Sequence, residues 1–260
     1  MDEPQYLDTP AGRRIAYHLS AGNGPGVVFL GGFKSDMEGT KAIHLQEWAR
    51  RNGRAFLRLD YSGHGQSSGT FEQGCIGDWA ADAMAAIDSL TQGPQILVGS
   101  SMGGWIALLA ARAMPDRVAG MVGIAAAPDF TEDGMWAGFD AAQREEITVK
   151  GRLELPSDYS DEPYVITARL IEDGREHLVL RAPLELPFPV RLLQGTEDED
   201  VSRDVALRLL DHADCPDIHL TLVKGADHRF STPGCLALVE RGIEAVTARA
   251  DTVGRSGHGP

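Results

Sequence analysis

This chain is poor in cysteine, in aromatic residues and in positive charge. Cys75, Cys215 and Cys235 are its only cysteines among 260 residues, and no two form a CxxC pair. An odd, scattered set excludes a disulfide framework and a thiolate zinc centre as organising features. The default compartment is then a reducing one, the cytoplasm. Lys and Arg number 24 against 38 Asp and Glu, a net charge of −14. A nucleic-acid phosphate backbone needs a basic footprint, so no nucleic-acid partner is expected. No apolar run approaches the roughly 20 residues of a membrane span, so no stable membrane insertion is expected. The start, Met1-Asp2-Glu3-Pro4, lacks the basic and apolar regions of a signal peptide. HExxH is absent, no His/Cys cluster has metal-ligand spacing, and the acidic run at 197–200 lacks the offsets of an EF-hand. No metal or other cofactor is expected.

What is present is 43 % hydrophobic residues in an alternating pattern. Short β-rich runs alternate with helical spacing, which predicts an α/β fold with a mostly parallel sheet. Strands are expected at Gln5–Leu7, Arg14–Leu19, Val27–Leu30, Ala55–Leu59, Ile96–Val98, the start of Val118–Ala126, Val190–Leu193 and Ile218–Val223. Helices are expected at Lys41–Asn52, Asp78–Leu90, Gly103–Met114 and Ser202–Ala213, with a last one from Pro233 to about Ala250. Residues 251–260 read as a loose tail. The stretch from 128 to 187 has prolines, helical spacing at Ala141–Val149 and Tyr164–Asp173, and no convincing strand. An excursion of this length between two strands reads as a lid over a site, the alternative being a structural insertion that only caps the sheet. The α/β core is then 1–127 with 188–250, a single domain.

Gly99-Ser100-Ser101-Met102-Gly103 matches G-x-S-x-G. An apolar strand enters it and an Ala-rich helix leaves, the context that makes Ser101 a nucleophile on a tight strand-to-helix turn. Gly65-Gln66-Ser67-Ser68-Gly69 fits the same pattern, but no apolar strand leads in and no helix leads out, so Ser67 is rejected. Gly63-His64-Gly65 imitates a dinucleotide fingerprint, yet its third glycine falls at 69 and no helix opens there.

A serine nucleophile needs a histidine base oriented by a carboxylate, here in the order Ser, acid, His. Four carboxylates compete after Arg191–Gly195: Glu197, Asp198, Glu199 and Asp200. Asp198, three residues past the glycine, is the candidate, with Asp200 as runner-up. His228 follows the last sheet strand and is the candidate base. Two amides must hold the oxyanion. The Met102 N–H is one, and the Phe33 N–H, in Gly31-Gly32-Phe33 after a strand, is the other. Met135, Trp136 and Phe139 are candidate acyl-pocket residues, against the commoner reading of plain packing. Arg169 and Arg175 are candidate contacts for an anionic head group, against the commoner reading of solvated helix arginines.

The sequence resembles the α/β-hydrolase superfamily, from about Gly12 to Ala250. Within it, the chain is most similar to the branch of mitochondrial acyl-protein (palmitoyl) thioesterases and acyl-glucuronide esterases. Gly39-Thr40-Lys41-Ala42, Asp60-Tyr61-Ser62-Gly63, Gly93–Trp105, Arg191-Leu192-Leu193 and Asp227-His228-Arg229 carry the resemblance. It implies the α/β-hydrolase fold, a helical lid, hydrolysis of small-molecule acyl esters or thioesters, and a triad at the same Ser101, Asp198 and His228. The oxyanion loop of the family often reads Pro-Gly-Tyr, whereas here Gly31-Gly32-Phe33 keeps the backbone donor and lacks the phenol. The expected chemistry is two-step acyl transfer. The rivals are a C–C hydrolase or lyase on the same fold and a non-catalytic ligand-binding member; a serine at the elbow excludes a haloalkane dehalogenase.

Overall fold

The computed structural model describes residues 3–156 and 163–256. Eight strands form the central sheet: β1 (Gln5–Asp8), β2 (Arg14–Ser20), β3 (Asn23–Leu30), β4 (Arg54–Leu59), β5 (Gln95–Ser100), β6 (Val118–Ile124), β10 (Val190–Gly195) and β12 (Ile218–Val223). Three further strand pieces, β7 (Arg152–Leu155), β8 (Tyr164–Thr167) and β9 (Leu184–Glu185), lie between β6 and β10, and β11 (Ala213–Asp214) pairs with β9. The spatial order is β1-β2-β4-β3-β5-β6-β10-β12. β2 is antiparallel to both neighbours, and every pair from β4 to β12 is parallel.

Helices cover both faces: α1 (Thr40–Arg51), α2 (Ile76–Leu90), α3 (Met102–Ala113), α6 (Arg203–His212) and α7 (Pro233–Ser256). The two-residue period of a strand separates two cores. Leu97 packs with Trp79, Trp105 and Ile106 beneath α2 and α3, while its neighbours Ile96 and Val98 pack with Leu45, Trp48 and Ile243 beneath α1 and α7. Covered on both faces, β5 is buried along its whole length and reads as an unbroken run instead of an alternation. α7 runs six residues past the expected end near Ala250, to Ser256; residues 257–260 of the expected tail lie outside the described residues.

The excursion between β6 and β10 departs from the expected purely helical lid. It holds a π-helical turn (Thr131–Trp136), α4 (Ala141–Lys150) and α5 (Ala168–Glu176), and also a hairpin. β7 and β8 pair antiparallel from Arg152 against Thr167 to Leu155 against Tyr164. The helix expected over Tyr164–Asp173 thus starts four residues late. Tyr-Val-Ile-Thr is a β-branched and aromatic run suited to a pleated surface, and Thr167 Oγ1 then caps α5 by accepting from the Leu170 amide. The two ends of the excursion meet at Asp129. Its sealed carboxylate accepts from the Val179 and Leu180 amides, at 2.8 and 3.0 Å, and from Arg181 at 3.1 Å. No helix among the described residues is long and apolar enough to cross a membrane.

Candidate active site

Ser101 sits where β5 gives way to α3, at φ 54° and ψ −120°. A non-glycine residue there is strained, and the surroundings hold it in place. Its amide donates to Ile124 O at 2.9 Å, and its carbonyl accepts from the Gly104 and Ala127 amides at 2.9 and 3.1 Å. The flanking glycines are steric necessities. A Cβ on Gly99 would lie 2.3 Å from Gly103 O, and one on Gly103 would lie 2.0 Å from Leu30 O. A Cβ on Gly104 would lie 2.5 Å from that of Ala126.

Two strands away the chain turns past Gly195 and brings Asp198 against His228. His228 Nδ1 is 2.9 and 3.0 Å from the two carboxylate oxygens. The Asp198 side chain is shut off from solvent. It also accepts from the Val201 amide (2.8 Å), the Asp200 amide (3.0 Å) and Gln194 Nε2 (2.8 Å). Burial pushes this carboxyl up, but the hydrogen bonds from His228, Val201 and Gln194 outweigh it and hold the group below the ordinary carboxylate range. A charged acid bonded to Nδ1 keeps the proton on that nitrogen and leaves Nε2 as a basic lone pair. The histidine loop is tied down by Lys41, whose Nζ donates to Arg229 O at 2.5 Å. Asp198, Asp200 and His228 also bring potential cation ligands close together. Both oxygens of Asp198 are already engaged by hydrogen-bond donors, so this donor set suits an acid–base pair.

The structure therefore brings Asp198 and His228 into contact and sets Ser101 at the end of β5, in the same row of strand C-termini where open α/β sheets present their sites. Among the described residues no hydrogen bond joins Ser101 Oγ to His228. Such contacts are often loose in unliganded sites and tighten with substrate. The Asp200 amide donates to Asp198 Oδ1 at 3.0 Å, and its carboxylate lies close to the Asp198–His228 pair. Ser67 is structural: its Oγ donates to Asp60 O and accepts from the Ala16 amide.

The loop after β3 passes close to the serine. A Cβ on Gly32 would lie 3.4 Å from Ser101 Cβ. Met102, first residue of α3, has no intrahelical partner for its amide, and among the described residues the Phe33 amide donates no hydrogen bond. The Phe33 ring meets Phe71 edge-on at 4.8 Å, Phe130 at 5.7 Å and Trp79 at 6.0 Å. Tyr164, on the β7–β8 hairpin, is 6.1 Å away. An aromatic wall thus joins this loop to the excursion. Beside it runs a groove of about 390 Å³ between Lys34, Phe71, Arg152 and Val165.

The candidate pocket residues fare differently. Phe139 is buried in the core, and Met135 and Trp136 pack half-buried against it. Trp136 lies 4.6 Å from the Arg175 guanidinium and 5.6 Å from that of Arg144, so its ring braces the excursion. Arg175 pairs with Glu132 at 2.7 Å and Arg169 with Asp78 at 2.7 Å. The aromatic residues that do reach the loop after β3, Phe71, Trp79, Phe130 and Tyr164, are not among the candidates read from the sequence. Only Phe130, six residues past β6, carried a local signal.

The chain matches the family described as "Alpha/beta hydrolase family" over residues 27–246. It is 36 % identical over 249 residues to the rat (Rattus norvegicus) palmitoyl-protein thioesterase ABHD10, mitochondrial, covering 95 % of this chain and 84 % of that one. For the human (Homo sapiens) protein of that name the identity is 34 %, covering 95 % and 81 %. The solved structure of mouse alpha/beta hydrolase domain-containing protein 10 superposes with a TM-score of 0.88 at 34 % identity, covering 95 % of this chain and 99 % of that one. Est1E from Butyrivibrio proteoclasticus, solved with ferulic acid, shares the fold with a TM-score of 0.78 at 22 % identity, over 94 % of this chain and 98 % of its own. With this elbow, this strand order and these relatives, the chain belongs to the alpha/beta hydrolase family.

Proposed function

We propose that this protein is a serine hydrolase of carboxylic esters or thioesters that works through an acyl-enzyme. His228 Nε2 takes the Ser101 proton as Oγ attacks the acyl carbonyl. The Phe33 and Met102 amides hold the oxygen that becomes anionic. Collapse of the tetrahedral species expels the alcohol or thiol, which takes the proton back from His228. Water, deprotonated by His228, then attacks the acyl-enzyme, and Ser101 leaves with the proton. Asp198 keeps His228 in the required tautomer and stabilises the imidazolium.

The observation that carries this reading is the Asp198–His228 pair, made by a sealed carboxylate held in its charged form. The names of the rat, cattle and mouse relatives support a thioester as substrate, and the aromatic wall around Phe33 supports an apolar acyl group. The excursion over 128–187 acts as a lid on a single α/β core. The free cysteines among the described residues support work in a reducing compartment such as the cytoplasm.

The test is turnover of a p-nitrophenyl ester with fluorophosphonate labelling. Ser101→Ala abolishes both while its melting temperature stays near wild type, and Ser67→Ala keeps its label. Undiminished turnover by Ser101→Ala overturns the reading. A chain-length series of acyl esters and thioesters, with one acyl glucuronide, then ranks the substrates by kcat/KM.

A further inference from the structure

Phe33 follows two glycines, and a Gly-Gly segment is the backbone with the most conformations to choose from. An oxyanion donor must be aimed before the reaction begins, since its contribution depends on needing no reorganisation. Something outside the glycines must therefore set the two peptide planes that lead to the Phe33 N–H.

Two hydroxyl groups do so. Ser35 Oγ donates to Gly32 O at 2.7 Å, and the Ser35 amide donates to the same oxygen at 3.2 Å. Tyr61 Oη, at the end of β4, donates to Gly31 O at 3.2 Å. We propose that Ser35 and Tyr61 are positioning residues of the oxyanion site, which grip the carbonyls of Gly32 and Gly31 and thereby aim the Phe33 N–H. The inference rests on the serine-hydrolase reading above.

The geometry of the peptide bond makes the link direct. Gly32 C=O and Phe33 N–H belong to one planar trans peptide and point in opposite directions. Holding the oxygen toward Ser35 sends the N–H the other way. Gly32 itself lies against the serine, with Ser101 Cβ and Ser100 O 3.4 and 3.5 Å from where its own Cβ would be. Residues 32–35 form a tight turn, closed by the Ser35 amide, with Lys34 at φ 57°. A donor on a carbonyl also polarises the amide and strengthens the N–H of the same peptide. Tyr61 is 1 % exposed, and burial pushes its phenol far above the ordinary range, so it remains a donor at every working pH. Asp60, its neighbour, grips the far end of the loop by accepting from the Met37 amide at 2.6 Å. Neither hydroxyl belongs to the proposed triad.

The experiment measures kcat and KM on a p-nitrophenyl ester, the Ki of an alkylboronic acid that places an oxygen in the oxyanion site, and Tm, for Ser35→Ala, Ser35→Thr, Tyr61→Phe and wild type. Loss of an oxyanion donor typically costs about 10²- to 10³-fold in kcat, and misaiming one forfeits part of that, so Ser35→Ala and Tyr61→Phe each lower kcat about tenfold. KM stays within about twofold, because ground-state binding does not use the donor. The boronic acid weakens by the same factor as kcat, and Ser35→Thr, which keeps the hydroxyl, recovers both. Ser35 lies in an exposed turn, so its variants keep the test valid should Tyr61→Phe misfold. Variants with wild-type kcat and Ki, in a wild-type protein that reacts with fluorophosphonate, overturn the clamp alone. A wild-type protein that does not react overturns the serine-hydrolase reading beneath it.

Discussion

The strain at Ser101 can be measured by removing its side chain in two steps. At φ 54° and ψ −120° the cost of a Cβ is of the order of 1–3 kcal/mol. Ser101→Ala removes the hydroxyl and keeps the Cβ, so it keeps the strain. Ser101→Gly removes both. Glycine returns roughly 0.4–1 kcal/mol of that relief through the greater freedom of the unfolded chain. The expected net gain of Ser101→Gly over Ser101→Ala is therefore about 1 kcal/mol. For a chain of this size that corresponds to a rise in Tm of about 2–4 °C. The assay is reversible thermal unfolding followed by circular dichroism, with urea titration to check that the m-value is unchanged. Both variants should be equally inert toward fluorophosphonate. A Ser101→Gly protein that melts with or below Ser101→Ala would refute the claim that the fold holds this residue under strain. The elbow would then be a relaxed turn, and its geometry would need another explanation than enforcement by Gly99, Gly103 and their neighbours.

Other consequences are as direct. Asp198→Asn keeps the shape of the site but favours the wrong histidine tautomer, and steady-state kinetics should record a fall in kcat of about 10⁴. The same carboxyl links stability to pH. Its folded pKa lies below its unfolded value of about 3.9, so its contribution is complete above that pH and disappears as pH falls through the folded value. Unfolding free energies measured from about pH 6 down to 3 should decline more steeply at the acid end in wild type than in Asp198→Asn. Gly103→Ala drives a Cβ to 2.0 Å from Leu30 O, where only backbone can yield. It should lower the urea midpoint by the equivalent of about 1–3 kcal/mol and reduce activity by displacing the Met102 amide.

The parts of the site legible in the sequence are those governed by near neighbours. The elbow is one, because the steric demand at Gly99, Ser101 and Gly103 acts within a few residues and between a strand and a helix that each announce themselves. The parallel core is another, since strands buried on both faces must be apolar throughout, as Ile96-Leu97-Val98 is. The β7–β8 hairpin was not legible. β7 and β8 are separated by residues 156–163, their pairing is non-local, and Tyr164–Thr167 also fits the spacing of the helix that follows.

By itself, then, the sequence determined the α/β class, the run of strands and helices, and the order in which serine, carboxylates and histidine follow strand ends. Local sterics and burial periodicity act along the chain and leave their mark in it. Spacing pointed to Asp198 with Asp200 as runner-up, and the tertiary structure separates the two: Asp198 is the sealed carboxylate that meets His228 and accepts from Gln194 and Val201. It alone set Ser35 and Tyr61 on the glycine carbonyls and gathered Phe71, Phe130 and Tyr164 around Phe33. The Tyr61, His228 and aromatic contacts join segments far apart in the chain, and their energy depends on distance and solvent exclusion.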